Sequence, residues 1–168
     1  MVLVFAISCK TEKQNANSKD GKNDMPIDID IISKYDTIYE PHAPKRITRN
    51  IKLDNEGGLL IAAYDDIVRY NGESFTQLKK PEGIESWYAF DVLEDKKGNV
   101  WIASDQSGVF RINGQTGVIT NFSIADGLGH RRNMCIYEDI AGNIWVGGQG
   151  GLSKFNGVGF TNFTEKDG

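Results

Sequence analysis

A short motif recurs along this chain at a nearly constant spacing. Residues 95–102 read Asp-Lys-Lys-Gly-Asn-Val-Trp-Ile, and residues 139–146 repeat them as Asp-Ile-Ala-Gly-Asn-Ile-Trp-Val. A more divergent copy begins at Asp54, so the leading aspartates of the three copies lie 41 and 44 residues apart. A strand-rich repeat of this length is typical of a β-propeller or a related repeat array.

Further features recur in the same register, so the repeat extends beyond the motif. An Asn-Gly pair follows each motif, and a short segment that resembles Phe-Thr-Asn-Phe follows each pair. The pairs are residues 71–72, 113–114 and 156–157, and the segments are residues 75–78, 119–122 and 160–163. Agreement among three copies over this length indicates genuine structural repeats.

Each copy has the pattern of four short strands. In the third copy, residues 134–138 carry β-branched and aromatic side chains, and Asp139 and Gly142 then suit the two ends of a tight turn. Three more strand-like runs follow, separated by glycine-rich breaks, at residues 143–147, 152–156 and 160–164. Four strands in about 40 residues is the content of one propeller blade.

We therefore expect an all-β fold: a β-propeller with three consecutive four-stranded blades of about 41–44 residues each. The blades would span about residues 47–86, 87–130 and 131–168. An N-terminal strand segment at 25–46 would precede them, because isoleucines alternate with aspartates there. Within that segment, residues 34–39 occupy the register of an outer strand and would help to complete another blade.

The number of copies is small for a propeller. Propellers typically have 4–8 blades, and the third copy stops within an inter-blade loop. We expect the chain to be the N-terminal part of a longer protein that forms a larger closed propeller. The alternative is a complete chain that closes a ring by self-association, because an open stack would leave strand edges unpaired.

The most regular positions of the repeat are expected to form the framework of the blades. Blades pack face to face, so a large apolar side chain at a fixed place suits the space between them. We expect Trp101 and Trp145 to fill that role, with Leu60 as a smaller substitute in the first copy; the alternative is stacking on a cofactor. The framework residues are Asp54, Asp95, Gly98, Trp101, Asp139, Gly142 and Trp145.

The repeat resembles the two-component regulator propeller family, whose repeats read roughly Asp-x-x-Gly, a hydrophobic-Trp-hydrophobic segment, and then Gly-Leu. The third copy matches at residues 139–155 and the second at residues 95–111, whereas the first has Leu60 in place of the tryptophan. The resemblance covers about residues 47–168. It implies a propeller fold, and it implies a role like that of the periplasmic sensors of membrane histidine kinases, many of which recognise glycans.

The N-terminus has a different composition. Residues 1–9 are largely apolar and end in Ser-Cys, and residues up to 24 are polar, as in a flexible tether. This arrangement resembles a bacterial lipoprotein signal remnant followed by a tether, in which Cys9 would be lipidated. The alternatives are an ordinary signal or a chance apolar start. The resemblance implies a cell-envelope protein, lipid-anchored and either periplasmic or at the outer membrane, that meets the membrane only through its anchor.

The composition and motifs exclude several classes of function. A net charge of −4 and a pI near 5.2 give no basic face for nucleic acid. The two histidines, His42 and His130, have no Cys or His partner at metal-ligand spacing, so we expect no metal and no cofactor. With Cys9 lipidated, Cys135 would be left as a single buried strand residue. No catalytic set stands out.

The loops between consecutive blades are the expected ligand-binding region, because such loops gather at one end of a propeller. Residues 84–89 align without a gap with residues 128–133, yet their sequences differ while the framework stays constant. Aromatic faces suit sugar rings, and guanidinium groups suit carboxylates or hydroxyls. The alternative is that the aromatic residues cover a blade edge and the arginines are solvated. The candidates are Trp87, Tyr88, His130, Arg131 and Arg132.

These observations together favour a non-catalytic extracytoplasmic module that binds or senses a ligand or a partner, in a bacterial lipoprotein or a two-component sensor. The partner would be an unknown small molecule or glycan, or a protein. One alternative is an enzyme of the streptogramin lyase type, which resembles this chain in its short Gly-Trp repeats and needs a histidine and a metal; His130 is the nearby candidate. The other is a purely structural interaction scaffold.

Overall fold

The computed structural model describes residues 24–25 and 43–167, and this part of the chain is almost entirely β-structure. Apart from a short strand β1 (Asp24–Met25), the strands form three antiparallel sheets of four. Blade 1 contains β2 (Thr48–Leu53), β3 (Leu59–Ala63), β4 (Ile67–Tyr70) and β5 (Phe75–Gln77). Blade 2 contains β6 (Ala89–Glu94), β7 (Val100–Ser104), β8 (Val109–Ile112) and β9 (Ile119–Phe122). Blade 3 contains β10 (Asn133–Glu138), β11 (Ile144–Gly148), β12 (Gly151–Phe155) and β13 (Phe160–Phe163).

The strands of each blade pair in chain order, and the first strands β2, β6 and β10 contact one another in turn. The three sheets therefore stand side by side with their first strands innermost, which is the arrangement of propeller blades. The expectation of an all-β propeller built from four-stranded blades is confirmed.

A fifth strand lies on the outer edge of blade 2. The backbone of β1 pairs antiparallel with β9, with Asp24 opposite Thr120 and Met25 opposite Ile119. The outer strand expected at residues 34–39 lies outside the described residues, as does the isoleucine alternation at 27–31. The N-terminal strand segment at 25–46 therefore remains a prediction.

Two apolar clusters hold the blades together, one at each junction. The cluster between blades 1 and 2 contains Leu60, Ile67, Trp87, Ile102 and Phe110. The cluster between blades 2 and 3 contains Trp101, Phe122, Ile136, Val146 and Phe155. Because both clusters draw on two blades, the apolar face of each sheet is buried against its neighbour, and burial of this apolar surface is the main driving force for stacking.

The tryptophan of the repeat lies on the face that a blade turns toward the next one. Trp101 is 2% exposed and packs between Phe122 of its own blade and Phe155 of blade 3, with ring centroids 5.7 and 5.5 Å away. Trp101 therefore lies in the apolar cluster between blades 2 and 3. Trp145 is half-buried and stacks on Phe163 at 5.6 Å, because it lies on the face of blade 3 that no described residue covers.

The leading aspartate organises the turn that joins the first two strands of a blade. In blade 2, Asp95 accepts hydrogen bonds from the backbone N–H groups of Lys97 and Asn99 at 2.9 and 2.8 Å. Its second oxygen accepts from the Asn99 amide and from Nε1 of Trp101, both at 2.8 Å. One carboxylate therefore positions both the backbone of the turn and the tryptophan that packs between the blades, so the motif links the turn to the inter-blade core.

Asp139 repeats this arrangement in blade 3. Its carboxylate accepts hydrogen bonds from Trp145 Nε1 at 2.9 Å and from the Asn143 side chain at 2.8 Å. These two bonds, the indole's first, hold the pKa of Asp139 well below its ordinary value.

The depressed pKa of Asp139 has a consequence for acid stability. Because the folded-state pKa lies below the unfolded value, the ionised carboxylate stabilises the fold at neutral pH, and this contribution is lost as the pH falls through the folded-state pKa. We expect carboxyl ¹³C shifts of Asp139 to report an ionised group below pH 3.8, the ordinary value. Trp145→Phe should raise this pKa because it removes the indole donor. An unchanged titration in that variant would contradict the assignment.

Blade 1 departs from the motif and compensates with an arginine. The residue opposite the tryptophan position is basic in every blade: Arg69 faces Leu60, Arg111 faces Trp101 and Lys154 faces Trp145. Where the tryptophan is present, the cation lies over its ring, at 5.8 Å for Arg111 and 5.3 Å for Lys154. Where leucine replaces it, Arg69 instead reaches Asp54 at 3.1 Å and Glu94 at 3.2 Å.

The ends of β6 and β10 also tie neighbouring blades together. Glu94 accepts a hydrogen bond from the backbone N–H of Asn55 in blade 1 at 3.1 Å, and Glu138 accepts one from Lys96 in blade 2 at 3.0 Å. The contact repeats at both junctions, so the glutamate before the leading aspartate sets the spacing of consecutive turns. Leu53 occupies this position in blade 1 and is exposed.

Each first strand contains a register irregularity at the same place, and the residues that resume the pairing after it are Asn50, Asp91 and Cys135. A bulge of this kind re-aims a side chain. Cys135 is exposed, which corrects the expectation of a buried strand residue: it belongs to neither apolar cluster, and no described blade follows blade 3 to cover it as blade 3 covers the equivalent Asp91.

Asp91, which follows the register irregularity of blade 2, contacts all three blades. The side chain of Asp91 is 2% exposed, and its oxygens accept hydrogen bonds from Asn50 Nδ2 at 2.8 Å and Lys52 Nζ at 2.7 Å in blade 1. They also accept from the backbone N–H of Ile136 in blade 3 at 2.8 Å. Lys52 in turn donates to the Ile136 carbonyl at 2.6 Å. This polar cluster, the Asp91 hub, links the innermost strands, and both oxygens of its carboxylate accept hydrogen bonds.

Candidate functional site

The inter-blade loops and the hairpins between the second and third strands lie at one end of the blades. Each first strand runs from this end toward its aspartate turn, so the Asp54, Asp95 and Asp139 turns lie at the opposite end. Hydrogen bonds join loop and hairpin across each blade: Tyr64 N–H to Ile47 O, Asp105 N–H to Tyr88 O and Gln149 N–H to Arg132 O, at 3.0–3.2 Å. We call this the loop end.

Trp87 does not present a face to ligands, which corrects its place among the candidates. It is 0% exposed and lies in the cluster between blades 1 and 2, edge-on to Phe110 with ring centroids 5.2 Å apart. Its Nε1–H has no hydrogen-bond acceptor among the described residues. The physical reason is the neighbouring strand: Phe110 offers a large apolar surface against which the indole is buried.

Arg131, at the position equivalent to Trp87, is exposed. The strand beside it differs, since Ser153 of blade 3 occupies the position of Phe110 in blade 2. Burying the Arg131 guanidinium beside Ser153 would cost hydration free energy without adding apolar contact, so the side chain stays exposed to water. The structure therefore separates two residues that the sequence alignment pairs.

Tyr88 is half-buried at the loop end and has an unusual backbone. Its φ is +45°, and among the described residues no other non-glycine residue has a positive φ. Its ring meets that of Tyr64 edge-on, with centroids 5.4 Å apart. Ser86, just before it, donates from its hydroxyl to Asp65 and accepts from the Tyr88 backbone N–H at 3.2 Å. These contacts hold the tyrosine in a conformation that non-glycine residues rarely adopt.

Two arginines of blade 1 lie near this aromatic pair. The guanidinium of Arg49 is 4.3 Å from the ring centroid of Phe90 and 5.7 Å from that of Tyr64. Arg46 forms an ion pair with Asp65 through its Nε at 2.9 Å. The sequence analysis missed Tyr64, Arg49 and Asp65, although the hairpin position of residues 64–66, at the same end as the loops, was a usable signal.

Arg132, the other arginine among the candidates, forms an ion pair with a residue of blade 2. Nε of Arg132 lies 2.8 Å from Oδ1 of Asp105, and both residues are partly solvent-accessible. Asp105 also donates its backbone N–H to Tyr88 O, so it connects the tyrosine of one loop with the arginine of the next. The geometry places Tyr64, Tyr88, Asp105 and Arg132 in sequence around the loop end, and we call these four residues with Arg49 the loop-end surface.

His130 lies on a different feature, a cavity of about 220 Å³ in blade 3. Its Nδ1 accepts a hydrogen bond from the Arg132 backbone N–H at 3.4 Å, and its carbonyl accepts from the Asn133 amide at 3.0 Å. A wider depression of about 430 Å³ beside residues 77–84 contains none of the candidates. Within residues 43–167, no group of three or more His, Cys, Asp or Glu side chains is arranged to hold a metal ion.

The predicted lipid anchor and the relation of the chain to a membrane concern other parts of the molecule. Cys9, the predicted lipidation site, lies outside the described residues and remains a prediction. In the part of the chain that the structure describes, no helix is long and apolar enough to cross a membrane.

Several solved structures share the fold. An extracellular domain assigned to a one component system of B. thetaiotaomicron matches with a TM-score of 0.62 and 24% identity, over 71% of this chain and 18% of that chain. One assigned to a hybrid two component system of the same organism matches with a TM-score of 0.59 and 16% identity, over 74% and 19%. The chain thus spans about a fifth of these two structures.

Virginiamycin B lyase from Staphylococcus aureus also matches, with a TM-score of 0.58 and 16% identity, over 70% of this chain and 41% of that one. At these identities the likeness is one of fold. No curated protein sequence matches the chain. Residues 127–150 match the family model described as two component regulator propeller, and they include the Asp139 turn and Trp145. The chain therefore has the fold of β-propeller blades, and its segment 127–150 is similar to the two component regulator propeller repeat.

Proposed function

We propose that this chain is a non-catalytic, extracytoplasmic binding module that recognises its ligand at the loop-end surface. The observation that carries the proposal is Tyr88, a tyrosine held at positive φ beside a second tyrosine and between two blades. The ligand class that suits the surface best is a glycan or another molecule with ring faces and hydroxyl or carboxylate groups.

The backbone of Tyr88 supports a functional reading. A non-glycine residue at positive φ costs about 1 kcal/mol or more, and such strain persists where the surroundings enforce it, often at binding sites. The equivalent residues Ile47 and Arg132 are free of it. The strain is therefore a property of this loop and not of the repeat.

The chemistry of the surface supports the ligand class. Tyr64 and Tyr88 bring two aromatic rings to the loop end, and aromatic rings stack on the apolar faces of sugars. Arg132 and Asp105 together offer donors and acceptors whose geometry is already set by their own ion pair at 2.8 Å. Side chains that are ordered before binding lose less conformational entropy when the ligand arrives.

The extracytoplasmic address is supported by the relatives in fold. The two matched structures from B. thetaiotaomicron are extracellular domains, and the N-terminal sequence resembles a lipoprotein signal. The chain covers only about a fifth of those domains, so its place in a complete sensor or lipoprotein is part of the same proposal.

The test is a glycan array probed with the purified chain and with single variants. We expect Tyr88→Ala to weaken binding of the captured oligosaccharide by at least about tenfold, which corresponds to ~1.4 kcal/mol. Tyr137→Ala is the matched control, because Tyr137 is 67% exposed on a first strand away from the loop end. Equal losses in the two variants, or no binding by the wild type, would refute the proposal.

A third variant separates binding from folding. Tyr88→Gly removes the ring and also the conformational strain, so it should lose binding while its urea midpoint rises or stays unchanged. If Tyr88→Gly lowered the urea midpoint as well as the affinity, the loss of binding would be explained by loss of the fold, and Tyr88 would have a structural role alone.

A further inference from the structure

The two inter-blade junctions are built from equivalent positions but filled differently. Between blades 1 and 2, Trp87, Ala89, Ile102 and Phe110 lie in one buried apolar cluster. The strand register assigns their counterparts between blades 2 and 3 as Arg131, Asn133, Val146 and Ser153. Of these four counterparts, Val146 is apolar and belongs to the second cluster.

The replacement of Trp87 and Phe110 by Arg131 and Ser153 at the second junction leaves a space there. Asn133, Val146 and Ser153 line the cavity of about 220 Å³ beside His130. Where blade 2 has an indole and a phenyl ring against each other, blade 3 has a serine and an arginine that points to solvent. The cavity thus occupies the place that Trp87 and Phe110 fill at the other junction.

The groups around the cavity are tied to one another, and the cavity opens to solvent along residues 149–152. The loop above it is tied to blade 3, because Gly129 N–H donates to Ser153 Oγ at 3.0 Å and the Asn162 amide donates to Gly127 O at 2.9 Å. Ser153 and Asn162 also bond each other at 2.7 Å. One wall is main chain: a Cβ on Gly148 would lie 2.2 Å from the Arg132 carbonyl oxygen, so glycine is required there.

The lining combines polar side chains with the apolar side chains of Val146, Leu152 and Phe163. Its side chains offer both donors and acceptors, whereas no Asp, Glu, Lys or Arg contributes to the wall. An ion placed there would find no counter-ion in the wall, whereas a neutral molecule with several hydroxyl groups can form hydrogen bonds with the polar lining. The polar lining residues are His130, Asn133, Gln149, Ser153, Asn162 and Thr164.

We propose that this cavity is a second binding site, for one uncharged polyol of about the size of a single six-membered ring. None of the five residues of the loop-end surface lines it, so the proposal does not depend on the glycan assignment made for Tyr88. A site of this volume suits one small ring, and polar cavities of this kind hold ordered water until a ligand replaces it.

The test is an NMR titration of the ¹⁵N-labelled chain with three uncharged polyols, namely myo-inositol, sorbitol and erythritol, and with quinate as a charged ring of similar size. We expect at least one of the three polyols to shift the amide signals of residues 148–151 and of His130 saturably, with myo-inositol the strongest. Quinate should bind at least about tenfold more weakly. Failure of all three polyols to produce saturable shifts would overturn the proposal, as would equal binding of quinate.

Two variants locate the effect. Arg131→Trp with Ser153→Phe rebuilds the packing of the first junction and should abolish the shifts. Gln149→Leu should keep the fold, because the Gln149 side chain makes no hydrogen bond to another residue within 43–167, and it should weaken polyol binding about fivefold. Tyr88→Ala should leave polyol binding unchanged. Shifts that persist in both cavity variants, or that vanish in Tyr88→Ala, would overturn the proposal.

Discussion

Replacing Trp101 by alanine is expected to destabilise the chain by about 3–5 kcal/mol, which is the range for large-to-small changes at buried aromatic positions. The residue is 2% exposed and packs against aromatic rings of two blades. The change also takes the indole N–H away from Asp95, whose carboxylate oxygen then loses a bond of 2.8 Å. The measurement is urea unfolding, read as a shift in the midpoint at constant slope.

Trp145→Ala is the matched control for that experiment. It removes the same side chain from the same repeat position, but Trp145 is half-buried and stacks mainly on Phe163. We expect a loss of less than half that of Trp101→Ala. Equal losses would contradict the view that the junction between blades 2 and 3, and not the motif itself, gives Trp101 its importance.

Replacing Asp91 by alanine is expected to cost about 3 kcal/mol or more, because it breaks a buried ion pair and leaves one partner behind. The change strands the Lys52 ammonium, whose Nζ lies 2.7 Å from the carboxylate, and the backbone N–H of Ile136. Since these partners belong to blades 1 and 3, hydrogen exchange should accelerate in both β2 and β10. Urea unfolding measures the total loss.

Two comparisons make the Asp91 result specific. Asp105→Ala removes a carboxylate from a solvent-accessible pair with Arg132 and should cost under about 1 kcal/mol. In the double variant Asp91→Ala with Lys52→Met, no uncompensated ammonium remains, so the loss should be smaller than the sum of the single losses. Strict additivity would show that the two side chains do not act as a pair.

The fold was predictable because each of the three copies of the repeat carries the same turn and strand pattern. Asp95, Gly98 and Trp101 determine a turn, a strand and a packing face within seven residues, and those choices depend little on distant parts of the chain. The inter-blade glutamates were equally visible in the sequence, since a glutamate precedes the leading aspartate at Glu94 and at Glu138.

The candidate site was less predictable, and Trp87 shows why. Trp87 and Arg131 align without a gap, yet one is buried and the other exposed. The difference arises from Phe110 and Ser153, which lie more than 20 residues farther along the chain and meet these loops only when the blades form. Alignment of the loops alone therefore selected a core residue as a ligand contact.

Sequence alone determined the all-β propeller fold, the four-stranded blades and the role of Trp101, because strand patterning, turn chemistry and the apolar repeat position are local properties of each copy. Only the tertiary structure decided which loop residues reach solvent, that Tyr88 is held at positive φ, and that Asp91 joins three blades. Those features depend on side chains that neighbouring blades bring within hydrogen-bond or van der Waals distance, and no spacing within a single repeat encodes that meeting.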